Sequence, residues 1–164
     1  MEHIISKSKR KKRNVTNNLW YRGTITISIL GGVVGVVFTA ASLPQVTRDG
    51  SSLALIVSLV FWGLYALSVI AGIMLWQEKP LGIILSLPIL ALQIPQFNIG
   101  RLSYRFVVGL EITPYLHSGG FAVNANLSSE WQFNIWPQSP PFAIGINLVA
   151  LLMFITVFKQ YRKN

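Results

Sequence analysis

The sequence predicts an all-α integral membrane protein: four transmembrane helices in two antiparallel hairpins, with a small three-stranded antiparallel β-meander in the loop between helices 3 and 4. Three observations lead there. Only 12% of the 164 residues are charged, where a soluble domain carries roughly a quarter. Four stretches free of charge approach the roughly 20 residues that a helix needs to cross a bilayer. Between the third and fourth of them lies a long segment that alternates apolar and polar residues.

The chain opens on a basic tail, residues 1–23, containing Lys9, Arg10, Lys11, Lys12 and Arg13. Directly ahead of an apolar segment, such a run sets topology and touches anionic lipid headgroups. No aromatic residue interleaves it, so it lacks the stacking platform of a nucleic-acid site, and no nucleic-acid partner is expected. The apolar stretch that follows is too long for a cleavable signal.

Residues 24–99 hold the first three expected spans, at about 25–43, 53–76 and 81–99, and residues 142–164 hold the fourth, at 142–158, with a short basic tail. All 14 basic and 5 acidic residues fall outside these windows, and each charge at mid-membrane costs about 2.5–3.5 kcal/mol on insertion scales. Trp20, Tyr21 and Trp76 flank the first two windows, as amphipathic rings do at the headgroup level. The four residues Gln77 to Pro80 force an antiparallel hairpin. Pro88, Pro95, Gln93, Gln96 and Asn98 make the third window the least regular. With cytoplasmic termini, eleven Lys and Arg lie inside and only Arg48, Arg101 and Arg105 outside. That bias predicts a plasma or bacterial inner membrane protein with both ends in the cytoplasm.

The segment 100–141 is expected to form the outer, β-rich part. Leu102, Tyr104, Phe106, Val108, Leu110 and Ile112 share one parity, with Arg101, Ser103, Arg105, Glu111 and Thr113 on the other. The pattern returns at Phe121, Val123, Ala125 and Leu127, and again at Trp131, Phe133 and Ile135. Period two argues strands with one buried face, and Pro114, Gly119-Gly120 and Ser128-Ser129 supply turns. The apolar face, with Tyr104, Phe106, Val108, Phe121, Trp131 and Phe133, needs a cover: the ends of the helices, or a partner, a lipid tail or another copy.

On the first window Ser28, Gly31, Gly35 and Thr39 fall on one helix face, within an arc of about 80° together with Thr24 and Ser42. Such a stripe packs helices closely or lines a polar path. Gln93 and Asn147 are polar groups inside later windows, and they point to packing or a lumen in the same way.

Catalytic constellations are missing. There is no Cys, no H-E-x-x-H, no Gly-rich phosphate loop and no His or Asp inside any window. No metal or cofactor is expected. Arg101, Arg105, Glu111, His117 and Glu130 are the only group available for acid–base work, and they resemble the content of an ordinary polar loop. The sequence therefore predicts a non-catalytic membrane protein that works by association with partners, itself or lipid, through its outer strands and its Gly/Ser/Thr face. The alternatives are an oligomeric channel or membrane-permeabilising protein, and a lipid- or glycan-modifying enzyme using the loop carboxylates.

Overall fold

The computed structural model describes residues 19–48, 52–135 and 140–162. The basic run Lys9 to Arg13 lies outside them. In chain order the elements are α1 (Leu19–Arg48), α2 (Ser52–Trp76), α3 (Pro80–Gln93), β1 (Pro95–Ile99), β2 (Leu102–Val107), β3 (Leu110–His117), β4 (Gly120–Leu127), β5 (Glu130–Ile135), β6 (Ala143–Ile146) and α4 (Leu148–Tyr161). The strands form one antiparallel sheet in the order β4-β3-β6-β1-β2-β5.

This overturns the all-α expectation of four transmembrane helices. Among the described residues only α1 and α2 are long and apolar enough to cross a membrane. The helices α3 and α4 have 14 residues each, about 21 Å at 1.5 Å per residue, which falls short of a hydrocarbon core of about 30 Å.

Two local features cut them short. Pro95 has no N–H to continue the α3 ladder and its ring crowds the preceding turn, so Gln93 ends the helix and residues 95–99 extend into β1. At the other window, the Asn147 side chain accepts from Val149 N at 3.1 Å and Ala150 N at 3.3 Å. That N-cap starts α4 at Leu148, and the preceding Ala143–Ile146 becomes β6. Asn147, expected inside a span, is a cap. The two new strands pair with each other, Pro95 opposite Ile146 and Phe97 opposite Ile144, and Asn147 N donates to Ile94 O at 2.9 Å.

The three-stranded meander is also corrected. The alternating run from Leu102 breaks at Val108 and Gly109, where Gly109 takes φ +83°, a conformation that glycine adopts without a steric penalty. The result is two strands, β2 and β3, which fork apart rather than pair. β2 pairs with β1 and β5, β3 pairs with β4 and β6, and β1 and β6 fill the open fork.

The α1–α2 hairpin runs the full height of the molecule, since 30 helical residues reach about 45 Å. Its lower half packs on α3 and α4 around Tyr21, Ile25, Leu75, Ile83, Leu90, Met153 and Val157. Its upper half packs on the sheet around Phe61, Tyr65, Phe106 and Val108. The fork meets α1 at mid-height. A Cβ on Gly31 would fall 2.5 Å from Gly109 N, so only glycine allows this approach. Ser129 Oγ donates to Gly31 O at 2.6 Å and accepts from Gly109 N at 3.0 Å, which fastens the fork and the β4–β5 turn to one point on the helix.

Candidate functional site

The register places every strand residue on one of two faces, because paired residues point the same way. The outer face carries Phe97, Tyr104, Phe106, Trp131 and Phe133 at one end of the sheet and Ile112, Leu116, Phe121, Val123, Leu127, Ile144 and Ile146 at the other. Tyr104 is its one polar side chain, and the Tyr104 hydroxyl donates to Leu92 O at 2.6 Å. The inner face carries Gln96 and Asn98, Ser103 and Arg105, Glu111, Thr113 and Tyr115, Asn124 and Asn126, and Glu130, Gln132 and Asn134. Polar residues line the inside of this sheet and apolar residues cover its outside.

The inner face is a cup. At the fork, beyond the residues that pair with β1 and β6, Arg105 Nη2 of β2 donates to Glu111 Oε2 of β3 at 2.6 Å. Asn124 of β4 and Gln132 of β5, on opposite edges of the sheet, line the same cleft of about 190 Å3. Five steps of roughly 4.8 Å would separate these edges in a flat sheet, so the sheet is strongly curled. The fork and the β4–β5 turn close the lower end, where Ser128 N donates to Gly109 O at 2.7 Å.

The centre of the cup is an ion-pair trio. Arg105 holds Glu111 with one terminal nitrogen and Glu130 with the other, both at 2.6 Å. Glu111 is fully buried and the Glu130 side chain is 40% exposed. Burial alone would lower the Arg105 pKa, but the hydrogen bond and charge of Glu111, with the charge of Glu130, carry it above its ordinary value. The Tyr115 hydroxyl donates to Gln96 Oε1 and lies 3.4 Å from Glu111 Oε1. Burial, followed by the charge of Glu111, pushes that phenol up to about 12, so it stays protonated at neutral pH. Gln96 Nε2, Arg105 Nε and Thr113 Oγ1 have no hydrogen-bond partner.

Of the polar residues singled out from sequence, Arg105, Glu111 and Glu130 come together here. Arg101 sits in the β1–β2 turn, and His117 closes the β3–β4 turn with Nδ1 accepting from Gly119 N at 3.1 Å. The Gly/Ser/Thr stripe of α1 is spent within the chain. Ser28 O accepts from Ser68 Oγ at 3.2 Å, Gly31 faces Gly109, a Cβ on Gly35 would overlap the Tyr65 ring, and Thr39 is buried. Gln93 is spent too: its Oε1 accepts from Val108 N at 3.1 Å and its Nε2 donates to Ile89 O at 3.2 Å, so it supplies the fork with a backbone partner.

Sequence reasoning missed Tyr115, Thr113, Asn124 and Gln132, and placed Gln96 on the polar stripe of a third helical span rather than on β1. One signal for them was present. The non-apolar parity of these strands is rich in Asn and Gln and nearly free of Lys, whereas strands facing water usually carry charge. Compared with known protein families, characterised proteins and solved structures, the chain matches none, and its reading rests on this geometry.

Proposed function

We propose that the chain is a non-catalytic membrane protein that works by association, with its α1–α2 hairpin and the apolar outside of the cup in the bilayer and the polar inside of the cup as its binding element. The inverted polarity of the sheet carries this reading. A sheet with water outside turns its apolar face to a core, whereas one in lipid is apolar outside and polar inside.

Several features support it. Trp20 and Trp76 are exposed at the lower end of the hairpin, and Arg22, Lys79, Lys159 and Arg162 share that end. Aromatic and basic residues gathered at one end fit a cytoplasmic membrane boundary. Ile112, Leu127 and Ile146 stand exposed on the outside of the sheet. The trio Arg105, Glu111 and Glu130 is engaged with itself, which suits a binding surface better than a set of reagents.

The absence of cysteine gives a clean test. A bimane label on Val123→Cys, on the bare outside of β4, is quenched several-fold more than one on Ser118→Cys, in the exposed β3–β4 turn, by nitroxide-bearing acyl chains in nanodiscs. Equal quenching at the two sites overturns the proposal.

A further inference from the structure

The ion-pair trio is unbalanced, and its excess charge sits beside a groove. One guanidinium, Arg105, faces two carboxylates, Glu111 and Glu130. Glu111 is fully buried against Arg105, so the surplus negative charge falls to Glu130, whose side chain is 40% exposed. Glu130 Oε1 lies 2.6 Å from Arg105 Nη1 and is sealed from solvent. Glu130 Oε2 makes no hydrogen bond among the described residues and is not sealed.

Glu130 opens β5, where it lines a groove of about 460 Å3 between α1 and the β4–β5 turn. That volume falls within the roughly 300–1,000 Å3 of small-molecule sites. Val34 and Phe38 of α1 line it together with Leu127 and Trp131 of the strands. Phe38 is 66% exposed and Leu127 80%, so these walls are open to the surroundings of the protein. Among the described residues that line the groove, Glu130 is the one that carries a charge.

This combination narrows the chemistry. An anion is repelled by Glu130. A neutral apolar molecule would cover the carboxylate without giving it a donor, at a cost. A divalent metal ion finds one carboxylate, and no group of three acidic or imidazole side chains lies together among the described residues. An organic cation satisfies both parts of the groove. Its N–H groups donate to Glu130 Oε2 and balance the trio, while its apolar body lies along Val34 and Phe38 and near the rings that attract cations.

Height decides the source of that cation. Ser129 Oγ donates to Gly31 O, nine residues above Arg22 on α1, or about 14 Å. With the hairpin in a bilayer, Glu130 next to Ser129 stands near the middle of a hydrocarbon core of about 30 Å. The amine of a phospholipid headgroup stays at the surface. We infer that the groove binds a free, membrane-soluble organic amine in its charged form, held by Glu130. The exclusion of a lipid headgroup rests on the bilayer placement proposed above; the binding itself rests on the groove and the trio.

The test is isothermal titration calorimetry on the full chain in phosphatidylcholine nanodiscs, with empty discs subtracted. The probes are phenylbutylammonium and phenylbutanol, its neutral counterpart of the same shape. The amine binds at least about tenfold more tightly than the alcohol, as one charge-assisted hydrogen bond implies, and in Glu130→Gln this preference falls below about threefold. An unchanged melting temperature checks that the variant folds; otherwise Phe38→Ala is read, which weakens both probes several-fold through lost apolar contact. No binding above empty discs, equal affinity for the two probes, a preference that survives Glu130→Gln, or unchanged affinity in Phe38→Ala each overturns the inference. Displacement of the amine when phosphatidylethanolamine is added to the discs assigns a lipid headgroup and overturns the free amine. Equal nitroxide quenching with an intact amine preference removes the bilayer placement and leaves the amine site standing.

Discussion

The two ends of the curled sheet have the same chemistry and different surroundings. At the β2–β5 end the outer face is covered by helix around Phe106 and Trp131, while Ile135, farther along the strand, is exposed. Phe106 is fully buried with its ring 5.3 Å from those of Phe61 and Tyr65, and Trp131 stacks on Phe61 at 4.8 Å. At the β3–β4 end no helix covers an equally apolar row. Phe121 is 69% exposed and Leu127 80%. Had the bare end been built for water, its outer parity would carry polar residues, since nothing in strand geometry prevents it. Its apolar content therefore implies a second apolar environment, which the bilayer supplies in the reading proposed here.

The largest effect that sharpens this contrast is truncation of the ring at each end. Phe106→Ala should cost about 3–5 kcal/mol of unfolding free energy, because it opens a cavity between two helices and the sheet. Phe121→Ala should cost under about 1 kcal/mol in detergent, measured by chemical denaturation monitored with Trp fluorescence. Similar losses at the two sites would mean that the bare end is covered after all.

A second comparison lies inside the cup, where two carboxylates share one guanidinium. Glu111→Gln leaves Arg105 without its buried partner and should cost about 3–5 kcal/mol. Glu130→Gln removes the more exposed partner and should cost under about 1 kcal/mol, given solvent screening. Equal costs in the same denaturation assay would show that burial does not separate the two contacts.

The smallest effect is alkaline. The folded Tyr115 phenol holds its proton up to about 12, against an ordinary value of 10.0. The folded state thus binds this proton more tightly than the unfolded chain, and the stability that follows is fully present below pH 10 and is lost as pH rises from 10 to 12. The wild type should lose more stability over that window than Tyr115→Phe, as followed by thermal melts. Identical alkaline slopes would remove Tyr115 from the buried network.

Much of this was legible in the chain. The alternation at Leu102, Tyr104 and Phe106, and again at Phe121, Val123 and Leu127, placed each side chain on its face, because side-chain direction in a strand depends only on parity. The exclusion of charge from residues 25–43 and 53–76 marked the two long helices. The windows at 81–99 and 142–158 misled because a short apolar run has no helix-or-strand signature of its own. Pro95 and Asn147 held the correction, but Pro88 sits inside α3 without ending it, so a proline alone did not decide the matter. The trio Arg105, Glu111 and Glu130 was visible as a set of residues and not as a contact.

The sequence by itself determined polarity: which residues face which way, where charge is excluded and which end gathers the basic residues. These are local properties, set residue by residue. The tertiary structure alone decided that Pro95–Ile99 and Ala143–Ile146 are strands, that β2 and β3 fork, and that the polar face closes into a cup. A strand finds its hydrogen-bond partners across the sheet rather than along the chain, as Pro95 does opposite Ile146. The seat of the fork on Gly31 is likewise a contact between segments far apart in sequence that no local pattern encodes.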